Sequence, residues 1–469
     1  MITGPQAKAH EIAAAVRRGQ VKARAVTEAA LARIEQQNPY LNAFTEITAE
    51  RALSSADAID AALAAGRDPG PLAGVPFAVK NLFDIKDVVT LAGSKIYREN
   101  DPAGDDAVLV SRMEAAGAIL LGGLNMGEYA YDFTGENAHV GPSRNPHAPE
   151  HMSGGSSGGS GTAAASGMVP LTLGSDTNGS IRVPSSLCGL FGLKPTYGRL
   201  PRSGTFPFVA SLDHLGPMAR SAADLALAYD AMLGADAGDP ACADVRPDPV
   251  FASLEDGIGG LTIARAGGYF ACTAMPEAYR AVDHVAGALG SKATVEIPDA
   301  AAARGAAYLI TMAEGASLHL DRLRTRHADY DPDVRDRLIA GNMIPGSWVT
   351  KAQKVRRVYR ENVLRLFDDV DVIVAPSTPC VAPKIGQRTM VLDGKEMAVR
   401  PNLGLFTQPI SFIGLPVVSV PVWLDGSALP IGVQVIAAPW REDIVLRVAR
   451  WLETSGACVA PAATWKRIP

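Results

Sequence analysis

Apolar positions in the first 64 residues recur at helical steps. Ile12 and Val16, then Val26, Ala30, Leu31 and Ile34, fall three or four residues apart, which predicts amphipathic helices that stop at Asn38-Pro39. A further helix over 47–65 ends in the turn Gly66-Arg67-Asp68-Pro69-Gly70. The pattern then shifts to short, unbroken apolar runs. Residues 74–81 read as a buried strand with Lys80 at its end, 108–116 as a helix, and 118–124 as a second buried strand. Strands are expected again at 169–173, 370–375, 416–422 and 431–437, before a last helix over 442–453. Helices alternating with wholly apolar strands predict an α/β fold whose sheet is largely covered. The segment 235–260, carrying Pro240, Pro247 and Pro249, is the loosest and reads as a surface excursion. No linker-like polar run, internal repeat or acidic tail divides the chain, so one large domain is expected.

Composition narrows the class of protein. The chain has 469 residues, 47% apolar and 20% charged, which excludes a disordered or fibrous protein. Lys+Arg 44 against Asp+Glu 49 leaves a net charge of −5, the wrong sign for a general binder of nucleic acid or anionic membrane. Cys188, Cys242, Cys272, Cys380 and Cys458 are odd in number and form no C-x-x-C pair. They read as reduced, mostly buried thiols and not as a disulfide frame or zinc site. The N-terminus lacks an uninterrupted apolar core and no stretch approaches a membrane span, so a soluble cytoplasmic protein is expected. No clustered ligand set marks a metal or cofactor site, and none is expected.

The run Ser153-Gly154-Gly155-Ser156-Ser157-Gly158-Gly159-Ser160-Gly161 has four readings. A flexible linker is contradicted by the helix-compatible Thr162-Ala163-Ala164-Ala165 that follows directly. A dinucleotide loop fits Gly159-x-Gly161-x-x-Ala164 but needs a strand immediately before it, and Arg144-Asn145-Pro146-His147 is not one. A phosphate-binding loop is not among the four, because no Gly-Lys-Ser/Thr follows. A nucleophile elbow, Gly154-x-Ser156-x-Gly158 with His214 as base, lacks the same strand. The fourth reading joins the serines to Lys80. Burial by the apolar run 75–79 would render its amine neutral near pH 7 and able to deprotonate a serine hydroxyl. The turn Gly174-Ser175-Asp176-Thr177-Asn178-Gly179-Ser180 then supplies backbone N–H groups for an oxyanion and a hydroxyl beside them. Arg182 with Asp176 reads as an ion pair holding that turn.

The block Gly154–Ser160, then Gly174-Ser175-Asp176-Thr177-Asn178-Gly179-Ser180-Ile181-Arg182-Val183-Pro184, then Cys188-Gly189-Leu190-Phe191-Gly192-Leu193-Lys194-Pro195-Thr196, resembles the amidase-signature family. The upstream lysine strand matches as well, and the likeness runs from the N-terminal helices to Pro430-Ile431-Gly432-Val433-Gln434-Val435-Ile436. The resemblance implies an α/β fold with one central, mixed, twisted sheet covered by helices on both faces. It divides the single domain into N-terminal helices (1–65), a catalytic core (74–220), a variable, substrate-shaping region (235–365) and C-terminal strands and helix (366–469). It further implies a Ser–cis-Ser–Lys triad, with Ser180 as nucleophile, Ser156 as bridging serine and Lys80 as base. The backbone N–H groups of Thr177, Asn178, Gly179 and Ser180 map onto the oxyanion hole. Asn178 stands where many members carry Gly. Arg182 and Arg202 are the candidate cations for a substrate carboxylate.

Phrases such as Lys80-Asn81-Leu82-Phe83-Asp84-Ile85, Leu91-Ala92-Gly93-Ser94-Lys95-Ile96 and Thr407-Gln408-Pro409 are similar to a branch that deaminates small carboxylated ureas. That likeness implies a small-molecule amide substrate and a small accessory subunit resembling the C subunit of the tRNA amidotransferase. It implies a heterotetramer with a dimeric large subunit, no nucleic acid and no membrane. The rival expectations are the glutaminase subunit of a tRNA amidotransferase, a general small-amide amidase, and a catalytically dead scaffold subunit.

Overall fold

Strands without a polar face need cover on both sides, and here they form the middle of one sheet. The computed structural model describes residues 1–246 and 248–464, so Pro247 and the last five residues of the expected C-terminal segment lie outside it. In chain order the strands are β1 (Phe44–Ile47), β2 (Pro76–Lys80), β3 (Ile119–Leu124), β4 (Leu171–Asp176), β5 (Phe191–Lys194), β6 (His214–Ala219), β7 (Ile263–Ala266), β8 (Ala293–Val295) and β9 (Val372–Pro376). They are followed by β10 (Thr389–Leu392), β11 (Lys395–Ala398), β12 (Val417–Val422) and β13 (Ile431–Ala437). Eleven of these form one sheet in the order β1-β3-β2-β4-β6-β5-β12-β13-β9-β7-β8, and β10 and β11 pair separately. The sheet is mixed: β2 runs parallel to β3 and β4, and β7 parallel to β8 and β9, whereas the central β5, β12 and β13 pair antiparallel. Central strands are buried at every residue, and the edges β1 and β8 are largely exposed. Helices flank this sheet, including Gly158–Ala165 against β4 and Glu442–Thr454 against β12 and β13.

Three local expectations need correction. Asn38-Pro39 does not stop its helix, which runs from Ala23 to Leu41 with Pro39 inside and closes on Asn42 in the left-handed conformation. Pro39 has no N–H to give the carbonyl of residue 35, and the helix runs only two residues beyond it. Within the stretch read as purely helical, β1 forms an edge strand whose Thr45-Glu46 has no apolar alternation to announce it. The second glycine turn starts three residues late, because Gly174-Ser175-Asp176 continues β4 in register with β6.

The glycine run is the opposite of a linker. Its second half opens the helix Gly158–Ala165, every residue of which is buried. At Gly159 a Cβ would lie 2.5 Å from the Ala43 carbonyl oxygen and 2.6 Å from the Asn125 nitrogen, so only glycine allows this approach. Among the described residues of the segment 235–260, the only helical element is a short 3-10 turn, Phe251–Ser253. Among the described residues, no helix is long and apolar enough to cross a membrane.

Candidate active site

β2 delivers Lys80 to the floor of the molecule, where it is fully buried. Its Nζ lies 2.6 Å from Ser156 Oγ and 2.8 Å from Ser175 Oγ. Burial lowers the lysine pKa to about 7, even though Asp213, Asp176 and Asp132 pull the other way. Desolvation thus wins over three nearby carboxylates, leaving an amine that is substantially neutral at neutral pH. Ser156 follows a cis peptide bond from Gly155, and its carbonyl accepts the Gly127 N–H at 3.1 Å. Sequence reasoning missed Ser175 as a partner of Lys80. The signal was available, since β4 lies parallel beside β2 and Ser175 is near the same end.

Beyond β4 the chain turns over residues 177–181 before the helix Arg182–Cys188. Gly179 sits at φ 138°, and a Cβ there would fall 2.1 Å from Thr407 Oγ1, so glycine is required. Thr407 Oγ1 in turn donates to the Asn178 carbonyl at 2.7 Å, and Thr177 Oγ1 donates to Asp213 at 2.6 Å. Pinned at Thr177 and Asn178, the turn leaves the backbone N–H groups of Thr177, Asn178, Gly179 and Ser180 without an acceptor among the described residues. Ser180 Oγ likewise has no hydrogen-bond partner there, although the residue is 3% exposed. A free hydroxyl on a turn whose own backbone donors are free is what an acyl-transfer site needs.

Arg182 does not face a substrate. It is fully buried, and its Nε and Nη2 bind Asp176 at 3.0 and 2.9 Å. Nη1 reaches Gln434 at 2.6 Å, and Nη2 also donates to Ser411. Burial alone would raise the Asp176 pKa, but the Arg182 guanidinium overcomes this and holds the carboxyl well below its usual range. The expected ion pair is present, and it uses up the cation. Arg202 forms a two-pronged pair with Asp239 at 2.9 Å on each arm, with Nη1 on the Ala210 carbonyl at 2.6 Å. Its charge is therefore balanced, although it lines a cavity of about 350 Å³ that reaches Ser175. His214 is buried on β6, Nδ1 3.0 Å from the Asp176 carbonyl, with no contact to Ser156. It is a structural histidine.

A second, tighter cavity touches Ser180, Thr177 and Asn178 and holds about 20 Å³ of free space, roughly one water molecule. It shares Ala130 and Phe208 with the larger cavity, so the two cavities are neighbours. Its outer wall comes from the helices Ala300–Ser317 and Pro332–Gly341, through Tyr308, Thr311 and Arg337. Arg337 stacks 3.8 Å from the Tyr131 ring centroid, donates Nε to the Asp333 carbonyl at 2.7 Å and Nη2 to the Tyr131 carbonyl. It pairs with no carboxylate among the described residues, unlike Arg182 and Arg202. Nothing in the sequence distinguishes Arg337 from the other cationic residues, and only the fold brings it to Ser180.

The model of the amidase family matches residues 25–446. The chain is 54% identical to AtzE of Pseudomonas sp. (strain ADP), a 1-carboxybiuret hydrolase component, over 96% of this chain and 98% of that protein. It is 36% identical to the A subunit of the glutamyl-tRNA(Gln) amidotransferase of Acinetobacter baumannii (strain AYE), over 93% and 94%. A solved structure described as an unexpected vestigial protein complex that reveals the evolutionary origins of an s-triazine catabolic enzyme superposes with a TM-score of 0.95. Identity to that structure is 54%, with 97% of this chain and 99% of that one covered.

Proposed function

This chain belongs to the amidase family, enzymes that hydrolyse amide C–N bonds, and from that membership we propose that it deaminates 1-carboxybiuret to urea-1,3-dicarboxylate and ammonia. The observation that carries the chemistry is the buried Lys80 amine, lowered to about 7 and hydrogen-bonded to Ser156. The 54% identity to the carboxybiuret hydrolase component, against 36% to the amidotransferase component, supports the choice of substrate.

In this reading neutral Lys80 takes the Ser156 proton as Ser156 takes the proton of Ser180, and Ser180 Oγ attacks the terminal amide carbonyl. The carbonyl oxygen, now an oxyanion, accepts from the free N–H groups of the turn 177–180. Losing one such donor costs about 3 kcal/mol in other acyl-transfer enzymes. The relay returns a proton to the leaving nitrogen, ammonia departs, and water releases the acid from Ser180. Arg337 holds the substrate carboxylate, the task first expected of Arg182 or Arg202. The protein complex described for the relative in the 0.95 superposition supports a partner subunit, which we read as a small accessory subunit in a heterotetramer with a dimeric large subunit. We assign the enzyme to the cytoplasm, where its free cysteines stay reduced.

The test is ammonia release from freshly made 1-carboxybiuret and from glutamine, by the wild type and by Ser180→Ala. Turnover of 1-carboxybiuret by the wild type alone supports the proposal. Turnover of glutamine instead overturns the substrate assignment, and equal rates in both proteins overturn the role of Ser180.

A further inference from the structure

Two primary amides face the Ser180 cavity, and one helix orients both. Asn178 is 5% exposed; its Nδ2 donates to Thr311 Oγ1 at 2.9 Å, and its Oδ1 is buried with no partner. A buried acceptor left unpaired costs stability, so its persistence calls for an explanation. Gln408 is 3% exposed, and its Oε1 accepts Arg304 Nε at 2.7 Å. Arginine can only donate, which fixes the amide with Oε1 toward Arg304 and leaves Nε2 as the free end. Nε2 has no acceptor among the described residues. Arg304 is itself held by the Pro401 carbonyl at 2.8 Å and Asn402 Oδ1 at 2.9 Å. Arg304 and Thr311 lie seven residues apart on the helix Ala300–Ser317 and so share one face of it.

We propose that Asn178 and Gln408 form a ureido-reading subsite. Asn178 Oδ1 accepts the N–H next to the carbonyl that Ser180 attacks, and Gln408 Nε2 donates to the following carbonyl. An acceptor and a donor, each held by a second side chain, match the –NH–CO– unit of a urea. They mismatch the –CH2–CO– unit of an ordinary carboxamide, which leaves Asn178 Oδ1 unpaired. This rests on the proposed ureido substrate, and it explains why a side chain stands at 178 when glycine would leave the hollow open. A buried acceptor without its proton costs about 1–3 kcal/mol, which is a preference of roughly fivefold to 150-fold.

Biuret and malonamide isolate this contact, because they differ only in NH against CH2 between the two carbonyls. Each is measured as a competitive inhibitor of 1-carboxybiuret turnover. The wild type is expected to bind biuret at least about fivefold tighter. Asn178→Ala, and separately Thr311→Val, which frees the Asn178 amide to turn, bring the ratio toward one. Thr311→Val keeps the Asn178 main chain, so its ratio decides the matter should Asn178→Ala fail to fold. Equal or absent inhibition by both compounds in the wild type, or a ratio unmoved in the folded variants, overturns the subsite and leaves the proposed function standing. Failure to turn over 1-carboxybiuret, with glutamine consumed instead, overturns the function and the subsite together.

Discussion

The floor of the site and its outer wall are built on opposite terms. Every residue from 152 to 196 is buried, and many polar side chains there are bound to other parts of the fold. Asp176 alone engages Arg182, Ser411 and the Ile181 N–H. The wall, on Ala300–Ser317 and Pro332–Gly341, mixes buried with exposed positions and presents Tyr308, Thr311 and Arg337 to the same cavity. A floor with no slack can hold a lysine amine against its own desolvation, whereas a wall with spare valence can answer to a substrate. In the proposed function the reacting groups sit on the floor, and the wall holds the substrate directly through Arg337 and orients the floor's Asn178 through Thr311, so mutations in the two should fail differently.

The largest effect is expected on the floor. Ser180→Ala should lower kcat/KM by at least about a thousandfold, since it removes the proposed nucleophile itself. Lys80→Met should do the same while the melting temperature at pH 7 holds or rises. The sign follows from linkage: a lysine titrating at about 7 in the fold and near its ordinary value unfolded costs stability in full below pH 7. That penalty fades as pH rises toward 10, and methionine removes it. A Lys80→Met protein that melts well below the wild type would contradict the desolvated amine. Next is Arg182→Met, which strands the buried Asp176 carboxylate and should cost about 3–5 kcal/mol in urea unfolding. Adding Asp176→Asn should recover part of the loss, separating a buried charge from a packing defect.

The floor was also the part legible in the sequence, and the reason is physical. A turn that must free four N–H groups, pass a threonine at 2.1 Å from where a Cβ would be, and tie its arginine to its aspartate admits few residues, so Gly179, Asp176 and Arg182 stand out as a pattern. Likewise Lys80 ends an apolar run whose burial follows from its composition. The wall leaves no such mark. Arg337 lies more than 150 positions from Ser180 on an ordinary amphipathic helix, and its role depends on where the helix docks and on having no carboxylate partner. Arg182 was near the site in sequence and far from it in function, because proximity to a nucleophile carries no information about which donors are already taken. β1 was missed for a smaller reason: four residues, only one of them buried, give no periodicity to read.

A pH profile sharpens the contrast at intermediate size. If neutral Lys80 is the base, kcat/KM rises with pH to a plateau above about 7 and falls tenfold per unit below it, about a hundredfold at pH 5. Substitutions on the wall should change the height of this profile and leave its midpoint in place. A midpoint near 4, where carboxylates titrate, would move the base from Lys80 to another group.

The smallest effect, and the one that most directly separates wall from floor, is expected at Arg337. Its guanidinium already commits Nε and one arm to the Asp333 and Tyr131 carbonyls, so it is held flat against the Tyr131 ring with Nη1 left over. A carboxylate meeting this group gains one charge-assisted contact, and Arg337→Leu should raise KM for 1-carboxybiuret about tenfold to a hundredfold. The change should appear mainly in KM, because the contact is present before and during the attack by Ser180. Neutral biuret serves as the control: lacking the carboxylate, it should bind the variant and the wild type with similar strength. A comparable loss for biuret would mean that Arg337 holds the cavity open through Tyr131, and that the substrate carboxylate is anchored elsewhere.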